Sequence, residues 1–236
     1  YDAASQLTLL ETPQAEIAYS YNNSGQLVSL NHDGVGVTEY EYDDDGRLVS
    51  LTNPFEETTS FVYDDASRLT RKNLANGVYE LYSYDNRSRL IGIDIKNSAH
   101  SLIDSHSYEY DAVSNIVERT SGGVTTEFGY DLVGQLISET RNGYAASYTY
   151  DANGNRLTRT VNNVTEEYQY DGADKLLEVS INSQTVKEFT YDAAGRTTSV
   201  TTSAGTTTLN WDYEDRLTGV TYPSTATNPF SYNSFR

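Results

Sequence analysis

The stretch Thr38-Glu39-Tyr40-Glu41-Tyr42-Asp43-Asp44-Asp45-Gly46-Arg47-Leu48-Val49-Ser50-Leu51-Thr52 decides the fold. Its first half alternates, with Tyr40 and Tyr42 on one side and Glu39, Glu41 and Asp43 on the other. A period of two marks a half-buried strand. Asp44-Asp45-Gly46 then supplies a three-residue hairpin loop, with glycine where φ must be positive. A second strand begins at Arg47. In a type I turn closed by a glycine bulge, Asp43 faces Arg47 and Tyr42 faces Leu48, one polar and one apolar cross-strand pair. The Asp43 carboxylate is then placed to accept the turn's backbone N–H groups.

The same pattern recurs along the chain. Its aromatic marks are Tyr1, Tyr21, Tyr42, Tyr63, Tyr84, Tyr110, Tyr130, Tyr150, Tyr170, Tyr191, Trp211 and Tyr232, at intervals of 20, 21, 21, 21, 26, 20, 20, 20, 21, 20 and 21 residues. A fixed period of this size is the signature of stacked repeats. Six residues after most marks stands an aliphatic residue, such as Leu27, Leu48, Leu69, Leu90, Ile116 or Leu176; two before stands a second large apolar residue, usually Tyr or Phe. A basic residue follows the loop at Arg47, Arg68, Arg89, Arg156, Lys175, Arg196 and Arg216. The loop glycine gives way to Ser67, Ser88, Ser114, Asp174 and Asp215, which a turn with one positive φ tolerates. Two units depart: residues 151–157 read as carrying one extra loop residue, and Thr197 replaces the leucine.

Between the hairpins lie second turns such as Asn76-Gly77, Asn142-Gly143 and Ala204-Gly205, so each unit holds two strands and two turns. A lone hairpin is marginal in water. The expected fold is therefore all-β: about eleven antiparallel β-hairpins forming one long sheet, a single array over residues 1–236. Twist accumulates along so long a sheet, which predicts a coiled or spiralling ribbon. The 26-residue interval predicts an irregular insertion at about 96–107, read as a longer surface loop.

Composition bounds the function. A net charge of −18 argues against nucleic acid and against an anionic membrane surface. No apolar run approaches the ~18 residues of a membrane-spanning helix. Cysteine is absent, which removes disulfides, thiolate nucleophiles and cysteine metal sites together. The chain contains no Met and starts inside a unit, so it reads as a fragment of a longer protein.

The strings YDDDGRL at 42–48, YDDASRL at 63–69, YDLVGQL at 130–136, YDANGNRL at 150–157 and YDAAGRT at 191–197 resemble the YD-repeat, or Rhs-repeat, family. The resemblance covers essentially the whole chain. That family includes bacterial polymorphic toxins, the shell components of Tc toxins, wall-associated proteins and the teneurins. It implies a hollow β shell, which in toxin members encloses a toxic C-terminal segment. Toxin members also carry a self-cleaving core after the repeats, and no such core stands before Arg236. The expected function is a non-enzymatic scaffold in a shell wall that encapsulates or presents a toxin or effector domain, secreted or at a bacterial surface. The partner is then the rest of the parent polypeptide. The alternative is an adhesion module for a cell-surface glycan or protein.

Repetition itself argues against chemistry. Catalytic carboxylates need distinct environments that push their pKa values apart, and identical units offer identical ones. The acidic loops Asp43-Asp44-Asp45 and Asp64-Asp65 lack the alternating spacing of a calcium loop. His100 and His106 fall in the irregular unit and read as solvent-exposed loop residues. No catalytic, cofactor or metal residue is therefore expected. The residues singled out are those of the structural repeat: Tyr21, Tyr42, Asp43, Gly46, Arg47, Leu48, Tyr63, Asp64, Arg68, Leu69, Tyr84, Asp85, Arg89, Leu90, Tyr110, Asp111, Tyr130, Asp131, Gly134, Tyr150, Asp151, Tyr170, Asp171, Tyr191, Asp192, Gly195 and Trp211.

Overall fold

The computed structural model describes all residues except Pro13, Gln14, Thr225 and 233–236. Among the described residues there are 22 β-strands and no helix. The chain divides into two compact units, Tyr1–Thr125 and Thr126–Arg236. The first carries β1 (Leu9–Glu11), β2 (Glu16–Tyr21), β3 (Leu27–His32), β4 (Gly36–Tyr42), β5 (Leu48–Thr52), β6 (Thr58–Tyr63), β7 (Leu69–Asn73), β8 (Tyr79–Tyr84), β9 (Leu90–Lys96), β10 (Leu102–Tyr110) and β11 (Ile116–Ser121). The second carries β12 (Val124–Tyr130) from Thr126 onward, β13 (Leu136–Arg141), β14 (Tyr144–Tyr150), β15 (Arg156–Val161), β16 (Val164–Tyr170), β17 (Leu176–Ile181), β18 (Gln184–Tyr191), β19 (Thr197–Thr202), β20 (Gly205–Trp211), β21 (Leu217–Thr221) and β22 (Thr227–Pro229). The expected all-β array of hairpins is what the structure has.

Within each unit every strand pairs antiparallel with the next, as a meander. Tyr42 stands opposite Leu48 and Tyr40 opposite Leu51, with a one-residue register shift between Glu41 and Tyr42. The same shift precedes Tyr21, Tyr63, Tyr84 and Tyr110 in the first unit. It precedes Tyr130, Tyr150, Tyr170, Tyr191 and Trp211 in the second. The shift is a β-bulge on the outgoing strand, beyond the turn itself: in the Tyr42 hairpin Val49 is the extra residue between Leu48 and Ser50.

The sheet has almost no deep interior. Among the described residues Tyr79, Ala146 and Val179 are the buried apolar ones, at 7%, 5% and 5% exposure. Most ladder side chains are half-buried. Stability therefore rests on cross-strand and neighbour-to-neighbour contacts rather than on a globular core.

Each unit has two rows of turns. The near row follows the tyrosine marks; the far row joins one hairpin to the next. The far row sets the period. Gly122-Gly123 and Asn162-Asn163 are two-residue turns with both residues at positive φ, and they accompany 20-residue intervals. The turn at Asn53–Glu57 is longer, with Asn53 N–H donating to the Glu57 carbonyl, and it accompanies an interval of 21. Asn182-Ser183 is again a two-residue turn, but a bulge between Val179 and Ser180 restores the interval to 21.

Two expectations need correction. Residues 96–107 are not a long loop: a five-residue turn, Asn97 to Ser101, joins β9 to β10, and the extra residues lengthen those strands, with a bulge between Leu102 and Asp104. Residues 151–157 contain no extra loop residue. Asp151 N–H donates to the Asn155 carbonyl, and Tyr150 pairs with Arg156. Asn155 thus takes the place that Arg47 holds in its own turn, and Arg156 takes the place of the leucine. The misreading arose because Asn can serve the turn aspartate as well as Arg can.

Candidate functional site

The recurring site is the near turn. Asp43 Oδ1 accepts from the backbone N–H groups of Asp45 and Arg47, at 3.1 and 2.9 Å. Its Oδ2 accepts from Arg47 Nε at 2.7 Å. Asp64 with Arg68 and Asp85 with Arg89 repeat this geometry. So do Asp192 with Arg196 and Asp212 with Arg216. Asp111, Asp131, Asp151 and Asp171 keep both backbone bonds. Asn22, which stands where the others carry aspartate, makes them too. The carboxylates of Asp43, Asp64, Asp85, Asp151, Asp171, Asp192 and Asp212 are held below the usual value, first by hydrogen bonds from the residue four along. A loop residue at positive φ completes each turn: Gly46 at 79°, Ser67 at 59° and Asp174 at 61°.

The mark tyrosine does more than face a leucine. Tyr42 Oη donates to the Leu27 carbonyl of the preceding hairpin, at 2.9 Å. Tyr21, Tyr63, Tyr84 and Tyr110 reach back to Leu7, Leu48, Leu69 and Leu90 at 2.7–2.9 Å. In the second unit Tyr150, Tyr170, Tyr191 and Tyr232 reach Leu136, Arg156, Leu176 and Leu217. Trp211 Nε1 donates to the Thr197 carbonyl at 2.8 Å. The sequence held the signal: the mark is always Tyr or Trp, each with a donor, and never Phe, whereas Phe61, Phe128, Phe189 and Phe230 occupy the position two residues earlier.

A second link runs forward, from the residue after the loop to the positive-φ residue of the next near turn. Gln6 and Gln26 donate to the carbonyls of Gly25 and Gly46, both at 2.9 Å. Arg47, Arg68 and Arg89 donate to the hydroxyls of Ser67, Ser88 and Ser114. Asn155 and Arg196 donate to the carboxylates of Asp174 and Asp215. Within each unit, Ser or Asp at the positive-φ position thus follows Arg or Asn one hairpin earlier, and Gly follows Gln or Lys. The guanidinium groups of Arg47, Arg68 and Arg89 also lie over the rings of Tyr63, Tyr84 and Tyr110 at 5.0, 4.9 and 4.6 Å.

His100 is an exposed turn residue, as expected, whereas His106 lies on a strand. His100 lies in the Asn97–Ser101 turn at φ 62°, and its Nδ1 meets Tyr79 Oη at 2.8 Å. His106 is half-buried on β10, with Nδ1 at 2.9 Å from Ser121 Oγ and Nε2 at 3.6 Å from the Asp104 carboxylate. That carboxylate stands beyond hydrogen-bond distance. The trio therefore lacks the oriented base that an activated serine requires. Among the described residues no group of three or more His, Cys, Asp or Glu could hold a metal ion.

A family model described as the teneurin YD-shell matches residues 3–91 and 144–235. Solved structures agree in fold. In the Photorhabdus luminescens Tc holotoxin pore carrying a TccC3 mutation, 12% of the matched chain aligns with 88% of this one at 22% identity and a TM-score of 0.72. In TcdB2-TccC3 without its hypervariable C-terminal region, 13% of that chain aligns with 93% of this one at 17% identity, again with a TM-score of 0.72. This chain thus spans only about one eighth of the length of those toxin chains. No curated protein matches it. With hairpins linked backward through tyrosine and forward through arginine or glutamine, and with that model matching most of its length, the chain belongs to the teneurin YD-shell family.

Proposed function

We propose that this chain is a non-enzymatic segment of the wall of a hollow shell, encapsulating or presenting a toxin or effector domain of the same secreted polypeptide. The observation that carries the reading is the double stitching of the near row. Each linked hairpin holds its neighbours through side chains as well as through the backbone ladder. Such a wall resists local opening, which containment demands. The family match and the fold shared with Tc toxin chains support the same reading.

The adhesive reading has less support. A glycan stacks on open aromatic faces, yet the rings of Tyr63, Tyr84 and Tyr110 carry guanidinium groups over them. Electron cryomicroscopy of the full polypeptide that carries these repeats tests the proposal. The expected result is a hollow particle whose wall contains residues 1–236 and whose enclosed segment resists added protease. An extended filament, or an enclosed segment digested as fast as a free peptide, would sink it.

A further inference from the structure

Arg156 breaks the apolar pattern of its position, which carries leucine in most other hairpins. Its guanidinium lies over the Tyr168 ring at 4.4 Å, and its Nε is buried without a hydrogen-bond partner. Arg159 Nη1 donates to Glu166 Oε2 at 3.1 Å, and Tyr168 Oη donates to the same oxygen at 2.6 Å. These bonds, the tyrosine's first, hold the Glu166 carboxyl below its usual value, so it is ionised at neutral pH and already engaged. Lys187 is exposed on β18 opposite Val179; its ammonium makes no hydrogen bond or salt bridge among the described residues, and its charge acts on the Glu166 carboxyl from a distance. Together with Leu176 these groups line an open cavity of about 340 Å³.

The charge count is three cations (Arg156, Arg159 and Lys187) against one carboxylate (Glu166), a surplus of two in a chain whose net charge is −18. Leaving a buried guanidinium donor unmatched is costly, and leucine at this position avoids the cost. A local rule broken with a buried donor left unmatched is the mark of a functional position. The guanidinium fork is shaped to take a carboxylate.

We propose that this cavity docks an acidic segment of another polypeptide, seating a side-chain carboxylate on Arg156 with Lys187 beside it. The retained Glu166 carboxylate disfavours the denser charge of phosphate. The walls of Leu176 and the Tyr168 ring suit the aliphatic stem of a glutamate. The inference goes beyond the shell reading and stands without it.

The test is calorimetric titration of the protein with hexaglutamate at low ionic strength. Inorganic phosphate and a single-stranded oligonucleotide serve as comparators. The variant R156L/K187T takes both residues from sibling hairpins, Leu176 and Thr207 supplying the models. K72T/K96T removes two positive charges from the other unit. Hexaglutamate binding is expected to weaken about tenfold in R156L/K187T and to change less than twofold in K72T/K96T. If the double variant melts early, K187T alone is expected to lose about threefold at an exposed position. The proposal is overturned by equal loss in both double variants, by unchanged affinity in K187T and R156L/K187T, by no binding of hexaglutamate at millimolar concentration, or by tighter binding of phosphate or oligonucleotide than of the peptide.

Discussion

The tyrosine hydroxyl is the smallest group on which the ladder depends. Tyr84 Oη donates to the Leu69 carbonyl at 2.8 Å, and replacing Tyr84 with Phe leaves that half-buried carbonyl unpaired. The expected loss is about 1 kcal/mol in chemical denaturation. Tyr40→Phe makes the contrast, because Phe61, Phe128, Phe189 and Phe230 already occupy the matching position. Its effect is expected within about 0.5 kcal/mol of zero. A second residue-scale prediction concerns the forward link. Arg47→Gln and Ser67→Gly each remove one partner of the 3.0 Å bond, whereas the double variant recreates the pairing seen between Gln26 and Gly46. In a double-mutant cycle the pair should lose less melting temperature than the sum of the single variants. Strict additivity would show that the link carries no stability.

At the scale of the element, the two turn rows differ in tolerance. The near turn always spans the same number of residues, because Asp Oδ1 must reach the N–H groups two and four along. The far turn is two residues at Asn162-Asn163 and longer at Asn53–Glu57. One glycine inserted between Asn182 and Ser183 should therefore lower the melting temperature less than one inserted between Asp44 and Asp45. Equal losses would refute the distinction. The hairpins were legible because period-two alternation, turn glycine and cross-strand pairing all act within some fifteen residues. The turn at residues 151–155 is hidden in the sequence because Arg156 looks like the turn's basic residue, while the carboxylate of Asp151 bonds Asn155. The strands around His100 and His106 read as a loop in the sequence because longer strands shift the count in the same way as a longer loop. The backward tyrosine bond was not read because its partner lies 14 to 20 residues away and is a backbone carbonyl. The Arg156 cavity needs four strands, β15 to β18, in register and shows in no local pattern.

For the whole molecule, pH should bound stability on both sides. Seven turn aspartates have folded values below 3.8 through hydrogen bonds from the residue four along. The unfolded chain therefore binds their protons first. Their contribution is complete above about pH 4 and is lost as pH falls below it. Tyr84, Tyr110 and Tyr170 have folded values raised above 10.0, chiefly by burial. Their contribution is complete below pH 10 and disappears as pH rises through the folded values. Thermal melts across pH 2–12 should show a plateau between these limbs, and tyrosinate absorbance should rise together with unfolding on the alkaline side. An alkaline limb that begins below pH 9 would assign the loss to other groups. The surplus of acid over base adds repulsion on the plateau, which protonation relieves before the turn aspartates titrate.

The backward and forward links also bear on how such a chain lengthens over generations. A hairpin copied whole, through duplication of about twenty codons, arrives with a hydroxyl that finds a carbonyl upstream and a cation that finds a turn downstream. The backward partner does not depend on which hairpin supplies it, since Leu27, Leu48 and Arg156 all offer the same backbone oxygen; the forward partner does, since Arg47 meets Ser67 where Gln26 meets Gly46. Tandem duplication and loss can therefore alter the number of hairpins with only the forward pair left to be rematched, and selection can tune the size of the assembly by counting copies.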